Sequence, residues 1–256
     1  MSRPVSRPLA GVSVVITRPV GQGRALAQQV RALAGRPVLL PGLSLRATGP
    51  AASVRAALRQ ALAGDLVLFT SPAAVRFAAD LASLHGHARS GAVGRATARA
   101  LARHGIDEVL VPTTTQDSEG VLAHPALASV RGWRIAVVGA PGGRGVLQQG
   151  LRERGAAVAD VAVYQRMPAR LDARHGRSLQ ALRRHVVMLS SVETLGHLQA
   201  ALTDVQWQHL VTGAAVVSSA RVGAAARAAG FARVVQADSA LDAAMLARAV
   251  AVQADT

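Results

Sequence analysis

The chain has 256 residues, 50% of them hydrophobic, with no cysteine and 29 Lys+Arg against 14 Asp+Glu. That length accommodates one large domain or two small ones, and the lack of cysteine excludes disulfide scaffolds, thiolate nucleophiles and Cys-ligated metal centres. The formal charge of +15 is carried by arginine alone, scattered along predicted helices (Arg24, Arg31, Arg55, Arg59, Arg99, Arg103, Arg152, Arg154, Arg227) rather than packed into a block. With aromatics at 2%, this pattern fits a solvated surface better than a nucleic-acid interface.

Apolar runs and helical periodicities alternate along the chain, the signature of an α/β fold. Val12 to Thr17 reads as a buried strand and Gly21 to Ala34 as a helix. Arg36 to Ala47 is extended and broken at Pro41-Gly42, and Ala51 to Ala63 is helical. A second buried strand, Leu66 to Thr70, leads through Ser71 into a helix from Pro72 to Leu84. A short apolar step, Ala92-Val93, precedes Gly94 and a helix from Arg95 to Arg103. Glu108 to Val111 is a strand, and Ser118 is expected to cap a turn over Glu119 to Ala123. Arg134 to Val138 is a strand, followed by a glycine-rich turn and a helix from Gly143 to Arg154. Val158 to Tyr164 alternates, and Leu171 to Arg184 is helical. Val186 to Leu189 and Ala215 to Val217 are strands, each leading into a helix (Leu195 to Leu202, Ala220 to Ala229). Val234-Val235 and a helix from Leu241 to Val252 close the series.

One junction recurs. A buried strand runs into paired small hydroxylic residues and then a helix at Thr70-Ser71, Ser190-Ser191 and Ser218-Ser219. In open parallel sheets ligands bind beyond the carboxyl ends of the strands, where helix N-termini favour anions. The same residues also serve as plain helix caps, so either role fits each site. Gly21-Gln22-Gly23-Arg24-Ala25-Leu26 lacks the third glycine of a dinucleotide fingerprint, and the Gly139 to Gly145 loop lacks the Lys-Ser/Thr of a phosphate loop. The turn at Gly142-Gly143 fits tight packing or anion binding equally. The histidines have no metal-ligand spacing and the acids form no evident pair. Tyr164 is the only tyrosine; its phenol fits an amphipathic surface position or a proton donor to a departing oxygen.

In order, the motifs resemble the uroporphyrinogen-III synthase family. They are Val15-Ile16-Thr17-Arg18-Pro19; Phe69-Thr70-Ser71-Pro72-Ala73-Ala74-Val75; Ala92-Val93-Gly94-Arg95-Ala96-Thr97-Ala98; Asp117-Ser118-Glu119-Gly120; Gly142-Gly143-Arg144; Val163-Tyr164-Gln165-Arg166; and Ser218-Ser219-Ala220-Arg221-Val222 with Ala229-Gly230-Phe231. The resemblance extends from about Gly11 to about Val250. Two positions depart from the family's pattern: Ala73 stands where Asn is usual, and Gly139 where the loop usually carries Arg.

The resemblance implies two parallel-sheet α/β lobes joined by a two-stranded antiparallel crossover, with the substrate in a cleft between them. The first lobe would comprise 1–37 and 168–256, the ribbon 38–48 and 158–167, and the second lobe 49–157. The extended segments Val38 to Ala47 and Val158 to Tyr164, flanking a self-contained middle, fit this independently. The implied reaction cyclises hydroxymethylbilane, a linear tetrapyrrole with eight carboxylates, to uroporphyrinogen III with ring D inverted and water lost. By the same resemblance Tyr164 would be the acid. Substrate would be bound at Thr17, Arg18, Ser71, Gly94, Thr97, Ser118, Gly142, Gly143, Arg144, Ser190, Ser218 and Ser219. No metal, nucleotide or flavin is expected. The implied protein is a cytoplasmic monomer of tetrapyrrole biosynthesis (haem, sirohaem or cobalamin), without nucleic-acid or membrane partners. Two other readings stay open: a tetrapyrrole- or anion-binding protein of the same fold without turnover, and an arginine-rich nucleic-acid binder.

Overall fold

The computed structural model describes residues 7–142 and 145–254. In chain order the elements begin β1 (Ser13–Ile16), α1 (Arg24–Ala32), β2 (Arg36–Leu39), β3 (Leu43–Ala47) and α2 (Ala51–Leu62). There follow β4 (Leu66–Phe69), α3 (Pro72–Ala79), β5 (Arg89–Ala92), α4 (Arg95–Ala102), β6 (Val109–Leu110) and α5 (Ser118–Leu122). A short 3-10 turn at Pro125–Leu127 leads to β7 (Arg134–Gly139), α6 (Val146–Glu153), β8 (Ala157–Ala162) and β9 (Tyr164–Pro168). The last third holds α7 (Ala173–Gln180), β10 (His185–Leu189), α8 (Val192–Ala201), α9 (Asp204–Val211), β11 (Ala214–Val217), α10 (Ala220–Ala228), β12 (Val234–Gln236) and α11 (Asp242–Ala254).

The chain divides into two compact units, one from Met1–Leu45 with Met167–Thr256, the other from Arg46–Arg166. The first carries the sheet β12-β11-β10-β1-β2, parallel throughout. Its central strands are apolar on both faces because helices cover both, as parallel sheets require. Val15, Val187, Leu189 and Val217 meet Leu195, Leu198, Trp207 and Leu210 of α8 and α9 on one side. Val14, Ile16, Val186 and Met188 meet Leu26 and Val30 of α1 and Met245 and Leu246 of α11 on the other. Each such side chain removed from water contributes about 1.5–3 kcal/mol.

The second unit carries the sheet β6-β5-β4-β7-β8, also parallel. Leu66, Leu68, Ile135 and Val137 pack there with Val121, Leu127, Leu147 and Leu151. β3 and β9 form a separate two-stranded sheet. Ala169 N–H donates to Gly42 O at 3.2 Å and Thr48 N–H to Val163 O at 3.4 Å, so the ribbon is antiparallel. The α/β class expected from sequence, two parallel sheets plus an antiparallel ribbon, is what the chain adopts.

Several local expectations differ. Val158 to Tyr164 is two strands: β8 joins the parallel sheet beside β7, and only from Tyr164 does the chain enter the ribbon. Alternation alone does not mark the change, because buried Val163 continues the apolar pattern across the junction. The cap of α5 is Asp117, not Ser118; its carboxylate accepts from Gly120 N–H at 2.8 Å and Thr115 hydroxyl at 2.7 Å. A carboxylate outcompetes a hydroxyl as acceptor at a helix N-terminus. Helix α9, unread in the sequence, starts at a reciprocal cap between Thr203 and Gln206. The recurrent strand-to-helix junctions resolve the same way three times: the second residue of each pair, Ser71, Ser191 or Ser219, caps α3, α8 or α10 and accepts from the third N–H on.

Candidate active site

In the second unit the connection from β4 runs to β5 and β6 on one side, while β7 and β8 lie on the other. The loops after β4 and β7 therefore diverge, leaving a crevice at the carboxyl ends of these two strands. A cavity of about 560 Å³ opens there. Its polar lining comprises Thr70, Ser71 and Ser118, the loop residues Gly139, Gly142 and Gly145, and the side chains Gln148, Arg152, Asp160, Tyr164 and Arg166.

Tyr164 is held at its ring and at its hydroxyl. Its ring stacks on Phe77 of α3, centroids 5.4 Å apart and 15° from parallel, and the residue is 3% exposed. Its hydroxyl lies 3.1 Å from Ser71 Oγ. Ser71 Oγ also accepts from Ala74 N–H at 3.1 Å as the cap of α3. That helix starts with Pro72 at its first position, where a missing N–H costs nothing. A serine oxygen has two acceptor sites and one hydrogen. With one site given to the helix, Ser71 can donate its hydrogen to the tyrosine oxygen, which leaves the phenolic hydrogen available to a ligand.

The same cavity is lined by a charged set. Gln148 and Arg152, one turn apart on α6, share a helix face. Gln148 donates to Asp160 Oδ1 at 2.7 Å, and Arg152 donates to Asp160 Oδ2 at 3.2 Å and Val158 O at 3.3 Å. This closes the only ion pair among the described lining residues. Gly145 starts α6 in the left-handed region (φ 67°) with no side-chain cap, so the first N–H groups of that helix have no side-chain acceptor among the described residues. Gly139 sits so close to Thr70 that a Cβ there would overlap the threonine Oγ1. An arginine at this position, usual in the family's loop, has no room without movement of Thr70.

The expected site residues distribute as follows. Ser71, Ser118, Gly142 and Tyr164 line this cavity together. Gly94 and Thr97 do not; Gly94 caps α4 and Thr97 is buried on that helix. Gly143 and Arg144 lie outside the described residues. The remaining five belong to the first unit, at the carboxyl ends of β1, β10 and β11. Thr17 is buried and donates to Met188 O at 2.6 Å. Arg18 forms an ion pair with Asp242 at 2.6 Å and also donates to Ser190 Oγ at 3.3 Å. Ser218 donates to Ser190 O at 3.2 Å, and Ser219 caps α10. Arg18 also borders a cavity of about 310 Å³ with Arg24, Arg170 and His175. Beside it, the Asp172 carboxyl caps α7 and is held below the usual carboxylate range by the His175 N–H, then by the His175 ring.

Sequence reasoning missed Gln148, Arg152, Asp160 and Arg166, all lining residues. The i,i+4 spacing of Gln148 and Arg152 was the available signal. Among the described residues no group of His, Asp and Glu is arranged to hold a metal ion, and no helix is long and apolar enough to cross a membrane.

A family model described as uroporphyrinogen-III synthase HemD matches residues 24–247. The uroporphyrinogen-III synthase of Salmonella typhimurium is 29% identical over 246 residues, 92% of this chain and 98% of its own length. That of Escherichia coli is 28% identical over 244 residues, with the same coverage. A uroporphyrinogen-III synthetase from Helicobacter pylori superposes with a TM-score of 0.63 at 12% identity, covering 94% of this chain and 99% of its own. A mutant uroporphyrinogen III synthase from Thermus thermophilus superposes with a TM-score of 0.59 at 21% identity, covering 95% and 99%. These two establish the fold alone; the family model, spanning most of the chain, establishes kinship. The doubly lobed fold and the ordered motifs thus have one source: this chain is a member of the uroporphyrinogen-III synthase family.

Proposed function

We propose that the protein cyclises hydroxymethylbilane to uroporphyrinogen III, with Tyr164 as the general acid. The observation that carries this is the Tyr164 hydroxyl at the wall of a cavity at the strand switch point, bonded to Ser71. In the first step the phenol gives its proton to the departing hydroxyl. The C–O bond breaks, its electron pair leaves with the oxygen as water, and an azafulvene cation remains. The substituted carbon of ring D attacks that cation and forms a spiro intermediate, which fragments and recloses with ring D reversed. The proton lost on rearomatisation balances the one supplied by the phenol.

Little else is asked of the protein chemically. Orientation supplies several kcal/mol of such a barrier. The Ser71 hydroxyl, donating to the phenol oxygen, would steady the charge left behind when the proton moves. The uncapped start of α6 at Gly145, with Gly142 before it, suits substrate carboxylates. Ser118 borders the same space. Gly94, Thr97, Thr17, Arg18, Ser190, Ser218 and Ser219 enter as supports of the strand-to-helix junctions, and Arg18, tied to Asp242, as a positioned cation. The net charge of +15 favours capture of a polyanion. We read the protein as a monomer of the cytoplasm, using no metal, nucleotide or flavin and no nucleic-acid partner.

The test is isomer analysis. Hydroxymethylbilane is generated in situ with the protein present, and the oxidised products are separated. Type III uroporphyrin in excess supports the reading; type I at the spontaneous rate from folded protein refutes it.

A further inference from the structure

We propose that Arg166 anchors one substrate carboxylate and so sets which end of the linear tetrapyrrole reaches Tyr164. The inference rests on the assignment of the cavity beside Tyr164 to the tetrapyrrole. Three observations support it. Tyr164 and Arg166 are two residues apart on β9, so their side chains leave the same face of the strand, about 7 Å apart along it. Both line the same cavity. Arg166 is exposed and makes no hydrogen bond or ion pair with any described residue.

The contrast with Arg152 is what singles it out. That side chain is the other described cation lining the cavity, and its donors are already engaged by Asp160 and Val158 O. Arg166 presents a guanidinium whose donors are uncommitted to any described residue. A planar guanidinium matches a carboxylate in a two-point fork and fixes its direction as well as its distance. Each pyrrole of the substrate carries an acetate and a propionate, so a carboxylate always lies within one ring of the hydroxymethyl carbon. A carboxylate held at Arg166 leaves the hydroxymethyl group within range of a phenol one strand repeat away. Only that end of the chain has a hydroxyl to lose, so anchoring there is selection of the reactive end.

The test compares Arg166→Ala with Arg59→Ala, an exposed arginine of α2 outside the cavity. Both remove one positive charge, so any effect of overall charge on substrate capture is common to the two. Arg166→Ala is expected to raise KM about tenfold with kcat within about twofold, the pattern of a lost binding contact. Arg166→Lys, which keeps the charge but not the fork, should recover part of that loss. The type I share of the product should rise with Arg166→Ala, since misplaced substrate closes without ring inversion. Melting temperature should stay within about 2 °C of wild type, because the side chain is exposed and has no partner to lose among the described residues. Type III product from wild type, with the KM of Arg166→Ala no higher than that of Arg59→Ala, overturns the anchor and leaves the function intact. A fall in melting temperature with unchanged KM overturns it in favour of a structural role. Only type I product from wild type overturns the function and the anchor together.

Discussion

Replacing Ser71 with alanine removes two interactions at once. The cap of α3 goes, at a cost of about 1 kcal/mol. The bond to the Tyr164 hydroxyl also goes, for about 1 kcal/mol more. A combined loss of about 2 kcal/mol corresponds to a melting temperature lower by roughly 4–8 °C in a protein of this size. Ser71→Gly separates the two effects, because glycine at a cap costs only a few tenths of a kcal/mol. Both variants lose the hydroxyl that orients the phenol, so both should turn over about threefold to tenfold more slowly, while Ser71→Gly, which loses the Tyr164 bond but little of the cap energy, should melt only about 2–5 °C lower, against about 4–8 °C for Ser71→Ala. Tyr164→Phe should lower turnover about tenfold or more. Adding Ser71→Gly to Tyr164→Phe should then cost nothing further, because the serine acts through a hydroxyl that is no longer there. The assay is initial formation of type III product, with folding followed by thermal melts. If the two effects multiply in the double variant, Ser71 is not working through Tyr164 and the argument fails.

Gly139→Ala should destabilise the second unit by about 1–3 kcal/mol, because its Cβ overlaps Thr70 Oγ1; adding Thr70→Ala should restore the melting temperature, and no recovery would place the strain elsewhere. The depressed pKa of Asp172 implies that its cap is fully effective above the ordinary aspartate range and is lost as pH falls through its folded value. Protection of the α7 amides, taken relative to the intrinsic exchange rate at each pH, should therefore fall below about pH 4 in wild type. Asp172→Asn, which caps without titrating, should flatten that dependence; parallel profiles for the two proteins would show the carboxylate to be irrelevant.

Most of the sheet architecture was legible in the sequence because strands such as Val14-Val15-Ile16 and Val186-Val187-Met188 are buried on both faces and show as unbroken apolar runs. Strand β5 was less so: Arg89-Ser90-Gly91-Ala92 has little apolar bulk because a Cβ at Gly91 would collide with Leu68. Helix α9 hid for a different reason. It buries Trp207, Leu210 and Val211 on a narrow face, and its clearest mark is the Thr203/Gln206 cap, a pattern of residue types rather than of hydrophobicity. At the candidate site, Tyr164 and Ser71 stood out through their motifs. Gln148, Asp160 and Arg166 did not, since their meeting depends on the register of β8 against β7 and on where β8 gives way to β9. Serine-rich junctions could not be divided from sequence into caps and ligands; their hydrogen bonds make Ser71, Ser191 and Ser219 caps in each case.

The discontinuous first unit has a consequence for how the molecule is made. β1 lies between β2 and β10, and Thr17 donates to Met188, 171 positions further on. At 5–20 residues per second, synthesis separates these partners by roughly 10–30 s. In that interval Arg46–Arg166 is complete and contains all the strands of its own sheet. It can therefore fold on the ribosome, while the apolar β1 waits with one edge unpaired. The nascent chain consequently passes through a stage with one finished unit and one exposed sheet edge, and that stage is where a chaperone has something to hold.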